Sequence, residues 1–214
     1  MLIGAKLGAR WGLLKAFIIG SIVYGIGSLL TGLSQNVQML MIGWSVVEGL
    51  GAVLVIPAIA ALVASNYSGK DRVTAFAIIG GISGAAAAAG PLIGGYVTTY
   101  LSWRYVFIAE TIIMIAVIML ARSFKASPAN KKQVIDIPSA VLSASGMILL
   151  VFGLLQSKQW GWLTPLATPT FAGHDIAPFG ISIVAYLIAA GLGLLKIFYD
   201  RQLMLEKTGN RALV

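Results

Sequence analysis

Apolar residues along this chain come in long blocks rather than at alternating or every-third positions. Six runs stand out, at about Leu13–Leu33, Val37–Ala64, Thr74–Tyr100, Trp103–Ala121, Ala140–Gln156 and Phe179–Tyr199. Leu, Ile, Val, Ala and Gly dominate each of them, and most reach the ~20 residues that a helix needs to cross a bilayer. A helix that is apolar on every side suits hydrocarbon, where each backbone N–H and C=O must be bonded within its own segment. Short polar turns separate the runs, such as Ser34-Gln35-Asn36 and Asn66-Tyr67-Ser68-Gly69-Lys70-Asp71-Arg72. The pattern predicts an all-α polytopic membrane protein with six transmembrane helices. The second and third runs are long enough to tilt or kink, and the fifth is the shortest.

Composition supports this reading. The 214 residues are 58% hydrophobic and 10% charged, against about 25% charged in average soluble chains. A cytosolic enzyme, a disulfide scaffold and a disordered tail are therefore excluded. The net charge of +8 does not point to nucleic acid, because the basic residues cluster in the gaps between spans. Counted over alternate gaps, one side holds Lys6, Arg10, Lys15, Lys70, Arg72, Arg122, Lys125, Lys131, Lys132, Lys196, Arg201, Lys207 and Arg211, the other only Arg104 and Lys158. Positive residues stay on the cytoplasmic side, so both ends of the chain are expected there. Trp11, Tyr100, Trp103, Trp160, Trp162 and Tyr199 fall at span ends, where amphipathic rings favour the headgroup region. A cleaved signal peptide fits the start poorly, since the apolar run after Lys15 is too long and no small-residue cleavage site follows.

Two acidic residues lie inside spans, Glu48 and Glu110. Ionised groups near the bilayer centre are costly, about 2.5–3.5 kcal/mol on insertion scales, so such residues are functional candidates. Glu48 lies ~16 Å in from Val37, close to the midplane, and Glu110 ~10 Å in from Trp103, in the outer half. Burial favours the neutral form of such a carboxyl, and alternation between charged and neutral forms is what a proton-driven carrier requires. The plainer alternative is a protonated hydrogen-bond donor between helices, a role in which Ser45, one turn away, suits Glu48. No basic residue is buried with either carboxyl. No metal or cofactor constellation is present, since the chain has no cysteine and His174, in the Thr164–Asp175 loop, is its one histidine.

The third run holds the most specific string, Ala86-Ala87-Ala88-Ala89-Gly90-Pro91-Leu92-Ile93-Gly94-Gly95. Pro91 cannot donate to the carbonyl of Ala87 and is expected to kink the helix. Gly80, Gly84, Gly90 and Gly94 let a neighbouring helix approach closely. This segment resembles the antiporter motif of the major facilitator superfamily, in particular its drug:proton antiporter branch with about fourteen spans. Ala86 stands where that motif opens with Gly. Lys6-Leu7-Gly8-Ala9-Arg10-Trp11-Gly12 is similar to the family's cytoplasmic loop between helices two and three. Glu48-Gly49-Leu50-Gly51-Ala52 with Ile56-Pro57-Ala58 resembles its fourth helix, Ser102-Trp103-Arg104-Tyr105-Val106-Phe107 the entrance to its sixth, and the last two runs the extra helix pair between its halves.

The resemblance implies a partial major facilitator fold. Residues 1–124 would be part of the N-terminal half (a cytoplasmic loop, then family helices three to six). Residues 125–139 would be a cytoplasmic linker, 140–199 the extra pair and 200–214 a cytoplasmic segment. It implies an internal fragment that needs the missing half of the carrier, or a second chain, in order to act. The implied activity is proton-coupled export of small amphipathic molecules or drugs across the cell membrane by alternating access, with Glu48 ahead of Glu110 as the coupling residue. The loop motif Gly8, Arg10, Gly12 lacks its usual carboxylate, replaced by Ala9, and Ser45 beside Gly49 stands where the family's fourth helix carries Arg. A six-span channel or assembly subunit is the alternative, though no ring of polar groups marks a filter. Gly81-Ile82-Ser83-Gly84 matches an intramembrane serine protease string, but such a serine needs a histidine base within reach.

Overall fold

The structure is a computed structural model that describes residues 2–124, 129, 136–168, 170–171, 174–175 and 178–207. Six helices among the described residues are long and apolar enough to cross a membrane: Leu13–Gly32, Val37–Asn66, Gly69–Tyr100, Arg104–Ala121, Ile137–Trp160 and Ile183–Lys207. They match the six apolar runs one for one. The chain divides into two compact units, residues 1–133 and 134–214.

The first unit begins with α1, Leu2–Trp11, so the segment expected to be a cytoplasmic loop is helical. Gly12 turns the chain into α2, Leu13–Gly32, with φ +97°, a conformation open to glycine and strained for other residues. Gly8 lies 3.6 Å and 3.7 Å, from an added Cβ, to Leu13 and Ala16. The glycines of this motif therefore build a tight helix–helix corner. The second span joins α3, Val37–Met41, a π-helical segment, Ile42–Glu48, and α4, Gly49–Asn66. Asn36 caps its start by accepting from the Met39 N–H at 2.8 Å. Helix α6, Arg104–Ala121, completes the packed part. Helix α2 is its centre, flanked by α4, the π segment and α6.

Close approach between α2 and the second span depends on glycine. A Cβ on Gly51 would sit 2.7 Å from Tyr24 Cα, and one on Gly27 would sit 2.7 Å from Glu48 Cα. At the end away from α1, Arg104 donates Nη2 to the Ser34 carbonyl at 2.8 Å and stacks on Trp103. Phe107 meets both Trp103 and Trp44 edge to face.

Helix α5, Gly69–Tyr100, differs from the rest. It begins five residues before the apolar run, runs helical through Pro91 and has no buried residue among the described ones. A Cβ on Gly80, Gly84, Gly90, Gly94 or Gly95 would meet nothing within 4 Å. The close neighbour expected for this small-residue stripe is thus not among the described residues of the chain.

The second unit is a helical hairpin of α7, Ile137–Trp160, and α8, Ile183–Lys207. Helix α7 is longer than the expected fifth run, because Pro138 sits at its permissive first turn and Lys158 in its last. Helix α8 starts at Ile183 rather than Phe179, which lies in a 3-10 turn with φ +54°. It continues as a helix to Lys207, past the end of the apolar run at Tyr199. Between the helices, Thr170–Phe171 pairs antiparallel with His174–Asp175, which places the lone histidine on a two-residue strand. Residues 125–128 and 130–135, most of the expected linker, lie outside the described residues.

The two helices meet through Gly146 and Gly191, each facing the other's carbonyl within 3.1 Å of an added Cβ. One end of the hairpin is clamped by side chains. Arg201 donates Nε and Nη2 to the two carboxylate oxygens of Asp136 at 3.2 and 3.1 Å. Ser139 donates to Asp136, and Gln202 donates to Ser139 at 2.7 Å. The hydrogen bond from Arg201 holds the Asp136 carboxyl below the ordinary carboxylate range, against the opposing effect of its burial. A carboxyl lowered in the folded state stabilises above the ordinary carboxylate range, and that stability disappears as pH falls through the lowered value. Asp136→Asn should therefore lower the thermal stability of the hairpin at neutral pH by about 1 kcal/mol. Thermal melts at neutral and acid pH should converge for the variant and the parent at the acid end, and an equal gap at both pH values would rule the clamp out as an electrostatic one.

Candidate functional site: a carboxyl pair bridged by a serine

Both membrane carboxyls converge on one hydroxyl of α2. The fully buried Ser28 places Oγ 3.0 Å from Glu48 Oε2 and 3.0 Å from Glu110 Oε2. Tyr24, one turn earlier on the same helix, donates its phenol to Glu110 Oε1 at 2.6 Å. Glu48 is 6% exposed, whereas Glu110 is half-buried. No Lys, Arg or His reaches the pair among the described residues.

Local structure explains why these side chains meet. Ser21, Tyr24, Ser28 and Thr31 recur at helical spacing on α2, so they form one polar stripe on an otherwise apolar span. Thr31 bonds back to the Gly27 carbonyl at 2.8 Å, and Ser21 Oγ is buried with no hydrogen-bond partner among the described residues. The π segment that ends at Glu48 has a wider turn than an α-helix, and such segments recur at functional sites. It breaks the spacing that would put Ser45 and Glu48 on one face. Ser45 is exposed, Glu48 is buried, and Glu48 finds its partner across the helix interface in Ser28.

The arrangement has a protonation consequence. A serine hydroxyl has one hydrogen to donate and accepts through lone pairs. With carboxyl oxygens at 3.0 Å on both sides, Ser28 can donate to only one of them. The other must carry a proton and donate to Ser28, or two lone pairs would face each other. Tyr24 supplies a second hydroxyl donor to Glu110. The geometry therefore suits a pair in which at least one carboxyl is protonated.

The pair lies toward one end of the first unit. Ser28 is ~6 Å from the end of α2 and Glu110 ~9 Å from the start of α6, on the side opposite Lys15 and Arg122. Elsewhere the expected site residues stand apart from the pair. Ala86, Gly90, Pro91, Gly94 and Gly95 all lie on the unburied α5, Gly8, Arg10 and Gly12 at the α1–α2 corner, and Gly49 just beyond the π segment. Ser83 donates back to the Ile79 carbonyl at 2.8 Å within its own helix. Sequence reasoning missed Ser28 and Tyr24, although their spacing from Ser21 and Thr31 was visible in the first apolar run.

The family model of the Major Facilitator Superfamily matches residues 1–209. The chain belongs to this superfamily of membrane transporters. A cephamycin export protein of Amycolatopsis lactamdurans is 31% identical over 89% of the chain and 40% of its own length. A tetracenomycin C resistance and export protein of Streptomyces glaucescens is 28% identical over 91% of the chain and 34% of its length. A puromycin resistance protein of Streptomyces alboniger is 28% identical over 78% of the chain and 33% of its length. The chain thus spans about a third to two fifths of these relatives. Membership places it among multi-pass membrane transporter proteins rather than enzymes, which sets aside the protease string and gives no support to the channel alternative.

Proposed function

We propose that this chain is the proton-coupling part of a carrier that exports small amphipathic molecules by alternating access. The observation that carries the reading is the Glu48–Ser28–Glu110 bridge, two membrane carboxyls joined through one buried serine. Relatives named for the export of cephamycin and tetracenomycin C support export as the direction. With the basic ends of the spans on the cytoplasmic side of the cell membrane, the pair faces the outer half. Glu48 takes its proton from outside, and the stripe through Tyr24 and Ser21 leads toward the inner face.

The two halves of such carriers move against each other about a central site. The unburied small-residue face of α5, with its antiporter string, is where the other half or a second chain packs. Helices α7 and α8 form the additional pair of the fourteen-span branch.

The test is transport by the full-length protein in everted vesicles with an imposed proton gradient. An amphipathic fluorescent substrate should move only with the gradient present, and its addition should accelerate gradient decay. Substrate movement that is indifferent to a protonophore would rule out coupling while leaving transport itself intact.

A further inference from the structure

The basic end of the first unit contains a cavity that the carboxyl pair does not touch. Its volume is about 490 Å³, within the range of small-molecule sites, and its walls are mainly Leu14, Phe17, Ile59, Leu62, Val63 and Phe124. It extends from Asn66 to Ile59 along α4, ~10 Å parallel to the helix axis. The cavity is therefore long, apolar and aligned with the spans. Its polar rim comes from Asn66 and Tyr67, and Tyr67 is an amphipathic ring at headgroup depth.

Basic residues adjoin the lining residues along the chain. Lys15 follows Leu14 in the wall, and Arg122 follows Ala121 at the end of α6; both are exposed. Arg72 donates Nε to the Tyr67 carbonyl at 2.9 Å and Nη2 to that of Ala64 at 2.7 Å, which fastens its guanidinium over the last turn of α4. Lys70 is nearby in sequence, and Asp71 is the one carboxylate at this end of the unit. Arg72 held beside Tyr67, with Lys15 and Arg122 next to lining residues, complements a phosphate joined to a hydrocarbon chain. Basic pockets between membrane helices on the cytoplasmic side select anionic headgroups.

We propose that this cavity binds one anionic phospholipid, its acyl chain lying against Phe17, Ile59 and Val63 and its phosphate against Arg122, Lys15 and Arg72. The site is separate from the carboxyl pair and does not depend on proton coupling.

The test is native mass spectrometry of the full-length protein in neutral detergent, offered equal amounts of phosphatidylglycerol and phosphatidylcholine with identical chains. The expected result is one phosphatidylglycerol retained in clear preference. Lys15→Gln with Arg122→Gln should cut that preference by about five-fold for each charge removed. Val63→Trp, which fills the slot, should remove the bound lipid of either kind. Equal retention of the two lipids by the parent protein would overturn the proposal. So would a preference that survives both the charge and the filling variants.

Discussion

Glu48→Gln should reduce gradient-driven efflux by the full-length carrier to the level of unenergised vesicles while leaving substrate binding measurable. The glutamine amide donates to Ser28 permanently, as the protonated carboxyl does, so packing and hydrogen bonding are kept while proton release is lost. Substrate exchange that requires no net proton movement should therefore persist, and this separates loss of coupling from loss of fold. Glu110→Gln keeps an acceptor for Tyr24 but removes the second proton station. If the two carboxyls act as one unit through Ser28, Glu110→Gln alone should lose about as much gradient-driven efflux as Glu48→Gln, because residues that work together each carry the full loss. Efflux from energised vesicles at the parent rate in Glu48→Gln would end the assignment. Parent-level efflux in Glu110→Gln would instead mean that Glu48 works alone, and the Ser28 bridge would have no role in transfer.

The six spans were legible because hydrocarbon imposes a single demand, unbroken apolar length, that sequence displays directly. Their ends were less legible, since polar residues extend helices past the apolar run. Pro138 begins α7 and Lys207 closes α8, beyond the residues that hydropathy marks. The segment 6–12 was read as a loop from its resemblance to the family's loop motif, yet one residue at positive φ, Gly12, is enough to join two helices there. The carboxyls themselves were visible as charges in apolar surroundings. Their meeting was not, because it depends on the π segment turning Glu48 off the face of Ser45 and on the register of α2 against α6. The antiporter string was also visible, but a small-residue face reports that something packs closely and not what does, and α5 is unburied among the described residues.

Gly27→Val should be strongly damaging to the first unit and to the carboxyl pair together. A Cβ at this position falls 2.7 Å from Glu48 Cα and 2.8 Å from Glu48 Cβ, so the obstacle is backbone that no side-chain rotation relieves. Either α2 moves away from the π segment or the π segment unwinds, and both routes separate Ser28 from Glu48. Overpacking of this kind costs about 1–3 kcal/mol, more when backbone must shift. The expected result is a lower melting temperature of the purified protein together with loss of gradient-driven efflux. Gly49→Ala, one residue past Glu48, provides the comparison, since an added Cβ there meets nothing within 4 Å and alanine favours the helix. It should melt at or above the parent temperature. If Gly27→Val melted like Gly49→Ala, the close crossing of α2 over Glu48 would be wrong, and the serine bridge between the carboxyls that depends on that crossing would be wrong with it.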